Sequence, residues 1–430
     1  MRAEEQKQNH TSSYYAATAN WQTDYPQLHG QQQADICVIG AGFTGISTAL
    51  TLAERGYRVA VVEANKVAWG ASGRNGGQLI HGFSSDKKIA ASLGDGHQKM
   101  FFDMIWRGHE IIHDRVKKYA IECDLKNGFI EVAVKESHMS YFEQQNDYFD
   151  RFQHPFEYRL LDKAETRDAV GTDAYAGSFL TMRNGHIHPL NLCIGEARAA
   201  QSLGVKIYEN SPVTRVQHGS RPRVITQNGA VIADCVVLAG NAYHRLEASH
   251  LSGLTFPAGS YIIATEPLGE ELLAEINPLD LAVCDSNEVV DYYRFSSDGR
   301  MLFGGRCNYS GRDPKSIKAS IRPRMLRVYP QLKGARIDFE WGGKVGIVLN
   351  RIPMLGRINK NVYYAQGYSG HGVNATHIMS EIIADAIGGT MEKFDIFADQ
   401  KHFRIPGGQW VGNQIIALGM LYYRLRDKLS

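Results

Sequence analysis

The stretch from Asp35 to Glu63 leaves this chain few folds to choose from. It reads DICVIGAGFTGISTALTLAERGYRVAVVE. Ile36, Cys37, Val38 and Ile39 form an apolar run short enough for a buried parallel strand, and Gly40, Gly42 and Gly45 lead from it into a helix. Gly40 permits a tight turn, Gly42 lets the backbone approach a pyrophosphate, and Gly45 lets the helix pack close to the strand. Phe43 and Thr44 open that helix, whose N–H groups and positive dipole end favour an anion. Ile46, Ala49, Leu50 and Ala53 recur at helical spacing, Gly56 stops the helix, and Val59 to Val62 predicts a second buried strand. The strand ends at Glu63, about 20 residues past the glycines, where an acid accepts hydrogen bonds from a ribose diol. A carboxylate there leaves NAD and FAD both open and argues against the 2′-phosphate of NADP.

The glycine pattern continues beyond this unit. VAWGASGRNGGQL crowds Gly70, Gly73, Gly76 and Gly77 around Ser72, Arg74, Asn75 and Gln78, so backbone N–H groups there reach a flat or anionic ligand at close range. Cys235 to Leu238 predicts a third short strand, running into Ala239, Gly240 and Asn241. Near the end, NVYYAQGYSGHGVNATHIMSEIIADAI repeats the opening logic: a strand, a turn through Gly367, Gly370 and Gly372, and a helix from about Val373. Both ends of the chain therefore build one nucleotide domain. Between them, Pro257 to Gly342 alternates like an antiparallel sheet, with strands at Tyr261–Glu266, Tyr292–Phe295 and Met301–Phe303.

These patterns divide the chain into an extension (1–34), a discontinuous nucleotide domain (35–95, 155–256 and 343–395), a substrate domain (96–154 and 257–342) and a C-terminal segment (396–430). The expected class is α/β, α+β overall: a Rossmann-like domain with an inserted antiparallel-sheet domain. A net charge of +2 offers no attraction to nucleic acid. The six scattered cysteines form no CxxC pair and read as reduced core residues of a cytoplasmic protein. No signal peptide or transmembrane run is evident; IIALGMLYYRLRDKLS is apolar then basic, read as a terminal helix packed on the body, with a peripheral membrane contact as the other option.

Taken together, GAGFTG, Glu63, SGRNGGQL, LAGNAY and QGYSGHG resemble the D-amino-acid oxidase family of FAD enzymes. TSSYYAATAN, GHIHPLNL, DYYR, YPQLKG and YYRLRDKL extend the likeness over nearly the whole chain, toward the bacterial members that oxidise γ-glutamylputrescine. The resemblance implies FAD stretched across the nucleotide domain with its ring at the domain interface. Gly40, Gly42 and Gly45 then meet the pyrophosphate, Glu63 the adenosine ribose, and Ser72, Gly73, Arg74, Asn75, Gly76, Gly77, Gln78 and Leu79 the middle of the cofactor. Gly367, Ser369, Gly370, His371, Gly372 and Val373 lie by the flavin pyrimidine, with Ala64, Val213 and Gly240 also expected at the cofactor. Sarcosine oxidase relatives tether flavin through a cysteine before the GHG turn; Trp341 to Gln366 contains none, so the expected FAD is non-covalent.

The implied reaction removes a hydride from the carbon beside a primary amine to flavin N5, giving aldehyde, ammonia and, with oxygen as partner, hydrogen peroxide. Other γ-glutamylated amines, glycine or sarcosine remain alternatives within the family, as does a flavoprotein passing electrons to a partner. A γ-glutamyl substrate carries a free carboxylate, for which Arg294, beside Tyr292 and Tyr293, and Arg306 are candidate receptors. Lys344 and His81 are the candidate catalytic groups. His186 and His188 share a face at strand spacing, but no further ligands complete a metal site, and no GxSxG elbow supports a hydrolase.

Overall fold

In the computed structural model, which describes residues 9–243, 245–287, 289–308, 313–406 and 411–418, three sheets organise the chain. The side chains of residues 95, 306 and 307 also lie outside the described part. A six-stranded sheet runs in the order Met354–Ile358, Val362–Gln366, Cys235–Leu238, Ile36–Ile39, Val59–Val62, Lys206–Tyr208. All its pairings are parallel except the first. Ile36–Ile39 and Val59–Val62 are buried at every position, as strands covered on both faces must be.

Helices Phe43–Glu54 and Val373–Ile387 follow Ile36–Ile39 and Val362–Gln366 and lie against each other, with Gln98–Lys118 alongside. Three buried side chains lock this layer. Arg115 donates to Glu196 Oε1 at 2.9 Å and to Ser47 Oγ at 2.7 Å, while His377 Nε2 meets both Glu196 oxygens at 3.1 and 3.2 Å. Burial pushes the Glu196 carboxyl up, but the His377 and Arg115 charges outweigh burial and hold it below the usual range.

The nine-stranded sheet is built from distant segments, with Phe256–Thr265, Met301–Asn308, Tyr292–Phe295, Ala282–Asp285, Lys126–Ala133 and Gly177–His186 side by side at its centre. A smaller four-stranded sheet joins Gly30–Gln33 to the Asn228-Gly229 hairpin.

The sheets move the expected boundaries. Tyr158–Leu161 and Gly177–His186 pair within the nine-stranded sheet, so 158–186 goes with that sheet and not with the nucleotide sheet; their partners, not their local pattern, decide it. Gln98–Lys118 goes the other way, because Arg115 and His109 find their partners in Glu196 and Asn374. The extension is not separate: Tyr14 and Tyr15 are buried, and Gly30–Gln33 adds a strand. Residues 343–347 continue the strand Ile337–Ile347. No helix among the described residues is long and apolar enough to cross a membrane.

Candidate cofactor and substrate cavity

The strand–turn–helix at Gly40 is held by close backbone contacts. Gly40 has φ +106°, and a Cβ there would lie 2.8 Å from Ala239 O. At Gly45 a Cβ would lie 1.8 Å from Gly40 O, so only glycine lets this helix approach its own turn. Glu63 braces the same turn, accepting from the N–H groups of Ala41 at 2.7 Å and Asn65 at 2.9 Å. Burial pushes its carboxyl up despite these donors. Each Glu63 oxygen keeps acceptor capacity for a ribose hydroxyl.

The second glycine turn meets the first. Tyr368 and Thr44 hydroxyls are 2.8 Å apart, and Ser380 Oγ donates to Thr44 O at 3.0 Å. Both helix N-termini therefore face one cavity of about 600 Å³. Their N-cap residues, Gly42 and Gly372, make no side-chain cap. Two helix ends with glycine caps present N–H groups and positive dipole ends to a common space. Such a cradle fits a long, anionic dinucleotide.

Of the residues expected at the cofactor, Gly40, Gly42, Phe43, Thr44, Glu63, Ala64, Ser72, Arg74, Asn75, Gly76, Gln78, Val213, Gly240, Ser369, Gly370, His371, Gly372 and Val373 line this cavity. Gly45, Gly73, Gly77, Leu79 and Gly367 stand behind the wall and shape it. The loop after Glu63 is folded by its own polar groups: Ser72 Oγ accepts from Phe43 N at 2.8 Å. Asn75 donates to the carbonyls of Ala71 and Ser72 and accepts from Gly77 N. Arg74 lies 4.3 Å over the Trp69 ring, and its carbonyl accepts from Trp341 Nε1 at 3.0 Å.

The residues expected at the reacting end are redistributed. Tyr292 lines the cavity, its hydroxyl 3.0 Å from Ser260 Oγ. Tyr293, next on the strand, points to the opposite face, where its hydroxyl meets those of Tyr175 and Tyr329. Arg294 is buried and spent within the protein, donating to Gly76 O, Phe295 O, Tyr15 Oη and Ile187 O at 2.9, 2.9, 3.2 and 2.7 Å. It braces the cofactor loop and does not line the cavity. Arg306 is on the strand Met301–Asn308, and its side chain is outside the described residues.

His81 and Lys344 are not in the cavity wall either. His81 stacks on Trp106 at 4.3 Å and its N–H donates to Asn184 Oδ1 at 2.9 Å, on the side away from the wall residues Gln78 and Ile80. Burial pushes its ring well below the usual histidine range. Around Lys344 the wall is formed by Gly343, Val345 and Gly346 instead. His371 Nε2 donates to His81 O at 2.7 Å, fixing its ring in the turn. His186 and His188 part company: the first reaches Asp280 O, and the second accepts from Asn191 N to cap a helix. Burial, then the Arg294 charge, pushes both down to about 3.

Sequence reading missed Trp69, Tyr243, Ser260, Cys284, Val290, Val345, Ile347, Arg351 and Tyr368 in the wall. Most sit on strands of the nine-stranded sheet or on loops, with no local motif to mark them. One signal was available: Tyr292–Phe295 as a strand puts Tyr292 opposite to Tyr293.

A family model described as FAD dependent oxidoreductase matches residues 35–386. The chain is 42% identical to "Gamma-glutamylputrescine oxidoreductase" of Escherichia coli K12, over 98% of this chain and 99% of that one. It is 39% identical to "Probable oxidoreductase OrdL" of Haemophilus influenzae, over 98% of each. Among solved structures, glycine oxidase from Geobacillus kaustophilus superposes with TM-score 0.71 at 19% identity, covering 86% of this chain and 100% of that one. L-proline dehydrogenase from P. horikoshii gives TM-score 0.71 at 20% identity, covering 86% and 96%. These structures share the fold.

Proposed function

The chain belongs to the family of FAD-dependent oxidoreductases, and from that premise we propose that it oxidises the primary amine of γ-glutamylputrescine to the aldehyde, in putrescine breakdown. The supporting observation is its end-to-end likeness to the Escherichia coli relative named for that substrate, at 42% identity. Bound FAD supplies the acceptor for the hydride leaving the carbon beside nitrogen; oxygen then takes both electrons to give hydrogen peroxide, while water converts the imine to aldehyde and ammonia.

The chain's residues would hold and orient. The Gly40–Gly45 turn would hold the pyrophosphate, Glu63 the ribose, the loop 72–79 the middle of the cofactor, and the Ser369–Val373 turn the flavin pyrimidine. A helix N-terminus aimed there favours the negative charge that develops on reduction. Val290, Tyr292, Val345 and Ile347 give the wall an apolar side. Such a wall excludes water and favours the neutral amine, the form that gives up a hydride. The Ser260 contact fixes the Tyr292 ring beside Gly76, where a Cβ would lie 2.5 Å from it. With His371 committed to a carbonyl, no histidine base is assigned, and hydride transfer requires none.

The test is anaerobic mixing of the purified protein with γ-glutamylputrescine, putrescine, glycine and sarcosine in turn, watching the flavin band near about 450 nm. Bleaching fastest with the glutamylated amine, reversed by air with peroxide release, is the expected result. Bleaching by glycine or sarcosine instead overturns the substrate, and reoxidation without oxygen uptake overturns the acceptor. The flavin is non-covalent in this reading, so acid precipitation should leave it in the supernatant.

A further inference from the structure

On the face that the nine-stranded sheet turns to the cavity, one row of side chains ends in a carboxylate. Glu131 is paired in register with Cys284, and Cys284 with Tyr292. Residues paired across neighbouring strands send their side chains to the same face, so these three form a row. Tyr292 and Cys284 line the cavity, and Glu131 stands one strand past them. The alternation agrees: Ile130, Val283 and Tyr293, paired with one another, are buried together in the core on the opposite face. Tyr292, Cys284 and Glu131 all stay half-buried, although their strands lie in the middle of the sheet.

The cofactor loop crosses the sheet at this row. A Cβ at Gly76 would lie 2.5 Å from the Tyr292 ring, and Gln78 Nε2 donates to Val283 O at 2.7 Å. Helix Met139–Arg151 covers the far end, with Phe149 at 5.4 Å from Phe179, the other neighbour of Glu131. Gln145 of this helix hydrogen-bonds Glu131. A carboxylate has about four lone-pair sites, so one amide leaves room for a further donor. The titratable groups around Glu131 are Cys284 and Asp285 on the next strand, Tyr141 on the covering helix and Asp86 beyond it. Lys87 Nζ lies 4.6 Å over the Tyr141 ring. Asp285 accepts from Asn287 Nδ2 at 2.8 Å and Asp291 N at 3.0 Å, and Asp291 pairs with Arg324. Burial, then the Asp285 charge, pushes the Glu131 carboxyl up to about 7 against the Gln145 hydrogen bond. Such a group exchanges protons readily at neutral pH.

We propose that Glu131 receives the reacting amine: its carboxylate pairs with the ammonium, takes one proton from nitrogen and leaves the neutral amine for hydride loss. This rests on the substrate reading above. The N–H bond breaks and a Glu131 O–H bond forms, a step that needs no oxidant. A negative group there also repels a carboxylate on the reacting carbon, which sets a primary amine apart from an α-amino acid.

The test compares Glu131→Gln, Glu131→Asp and the unaltered holoenzyme, with γ-glutamylputrescine and with N-acetylputrescine, which keeps only the reacting amine. Glu131→Gln preserves shape and removes the charge. At pH 7, anaerobic flavin reduction by both amines should slow about ten- to a hundredfold in Glu131→Gln, the range of a charge-assisted contact. The gap should shrink to about threefold or less near pH 10, where free amine is abundant in solution. Glu131→Asp should recover part of the rate at pH 7. Independently of turnover, binding of tert-butylammonium, which has no hydrogen on the carbon beside nitrogen, should weaken at least about tenfold in Glu131→Gln, read by perturbation of the bound flavin's absorption. A loss equal at every pH with unchanged tert-butylammonium binding overturns the proposal, and so does a loss confined to the glutamylated amine. Failure of the unaltered enzyme to oxidise γ-glutamylputrescine overturns the substrate reading instead, and tert-butylammonium binding still decides whether Glu131 receives an ammonium.

Discussion

The two walls of the cavity are built on opposite principles. The nucleotide side is made of backbone: strands end in glycine turns, and helix N-termini present their N–H groups. The sheet side is made of side chains, with Ser260, Cys284 and Tyr292 arriving on three different strands of the nine-stranded sheet. A pyrophosphate is the same in every FAD, so the first wall needs only a fixed backbone shape. An amine substrate has its own outline, which strand faces adapt residue by residue. Generic recognition sits in local motifs, and particular recognition in tertiary contacts.

Three substitutions would break or sharpen this contrast. The largest effect belongs to Gly45→Ala, whose Cβ would meet Gly40 O at 1.8 Å. The helix must withdraw from its turn, so stability and the flavin site are lost together. The expected outcome is protein that purifies without flavin and unfolds early in a thermal melt even with FAD added. A yellow, stable Gly45→Ala protein would mean that backbone shape does not govern the nucleotide wall.

Glu196→Ala comes next. It leaves Arg115 and His377 buried without their shared counter-charge, which costs about 3–5 kcal/mol by the measure of broken buried ion pairs. The pH dependence has a definite sign. The Glu196 carboxyl is held below its ordinary value of 4.5 in the fold, so its contribution is present above that pH and lost as pH falls through the lowered value. Denaturant midpoints measured from pH 6 down to about pH 3 should therefore fall more steeply for the natural protein than for Glu196→Ala. Parallel curves would remove Glu196 from the account.

Arg294→Met gives the smallest of the three effects and sharpens the contrast most. It leaves the carbonyls of Gly76 and Ile187 without a donor, a loss of about 2–3 kcal/mol. Because Arg294 braces the cofactor loop, FAD should dissociate more readily, while the preference between γ-glutamylputrescine and putrescine stays as it is. Measuring FAD affinity and both kcat/KM values separates the two readings of this arginine. A selective loss with the glutamylated amine would return Arg294 to the substrate.

Local sequence carried the nucleotide half well: Ile36–Ile39, Val59–Val62 and Cys235–Leu238 are the strands expected, and Val373 begins the second N-terminal helix. Glycine spacing reports a backbone path directly, so most residues named from it line the cavity. The other half was less legible. The pair Tyr292–Tyr293 illustrates why: adjacent on one strand, they face opposite sides, and no local pattern says which side the flavin would occupy. Arg294 and Arg351 illustrate it again. Arg294 donates to carbonyls of residues 76, 187 and 295 away from the wall, while Arg351 stands in the wall on a loop held by Ser84 at its own carbonyl and by Asn350 at Lys401.

The sequence by itself determined the βαβ unit, its glycine turns, the acidic end of the second strand and hence a dinucleotide site, because each depends on contacts within a few dozen residues. Only the tertiary structure decided that the two glycine turns meet through Thr44 and Tyr368, that residues 158–186 join the nine-stranded sheet, and that Arg294 stays out of the cavity wall. Those outcomes depend on partners hundreds of residues away, whose position is set by packing and by the satisfaction of buried polar groups rather than by periodicity.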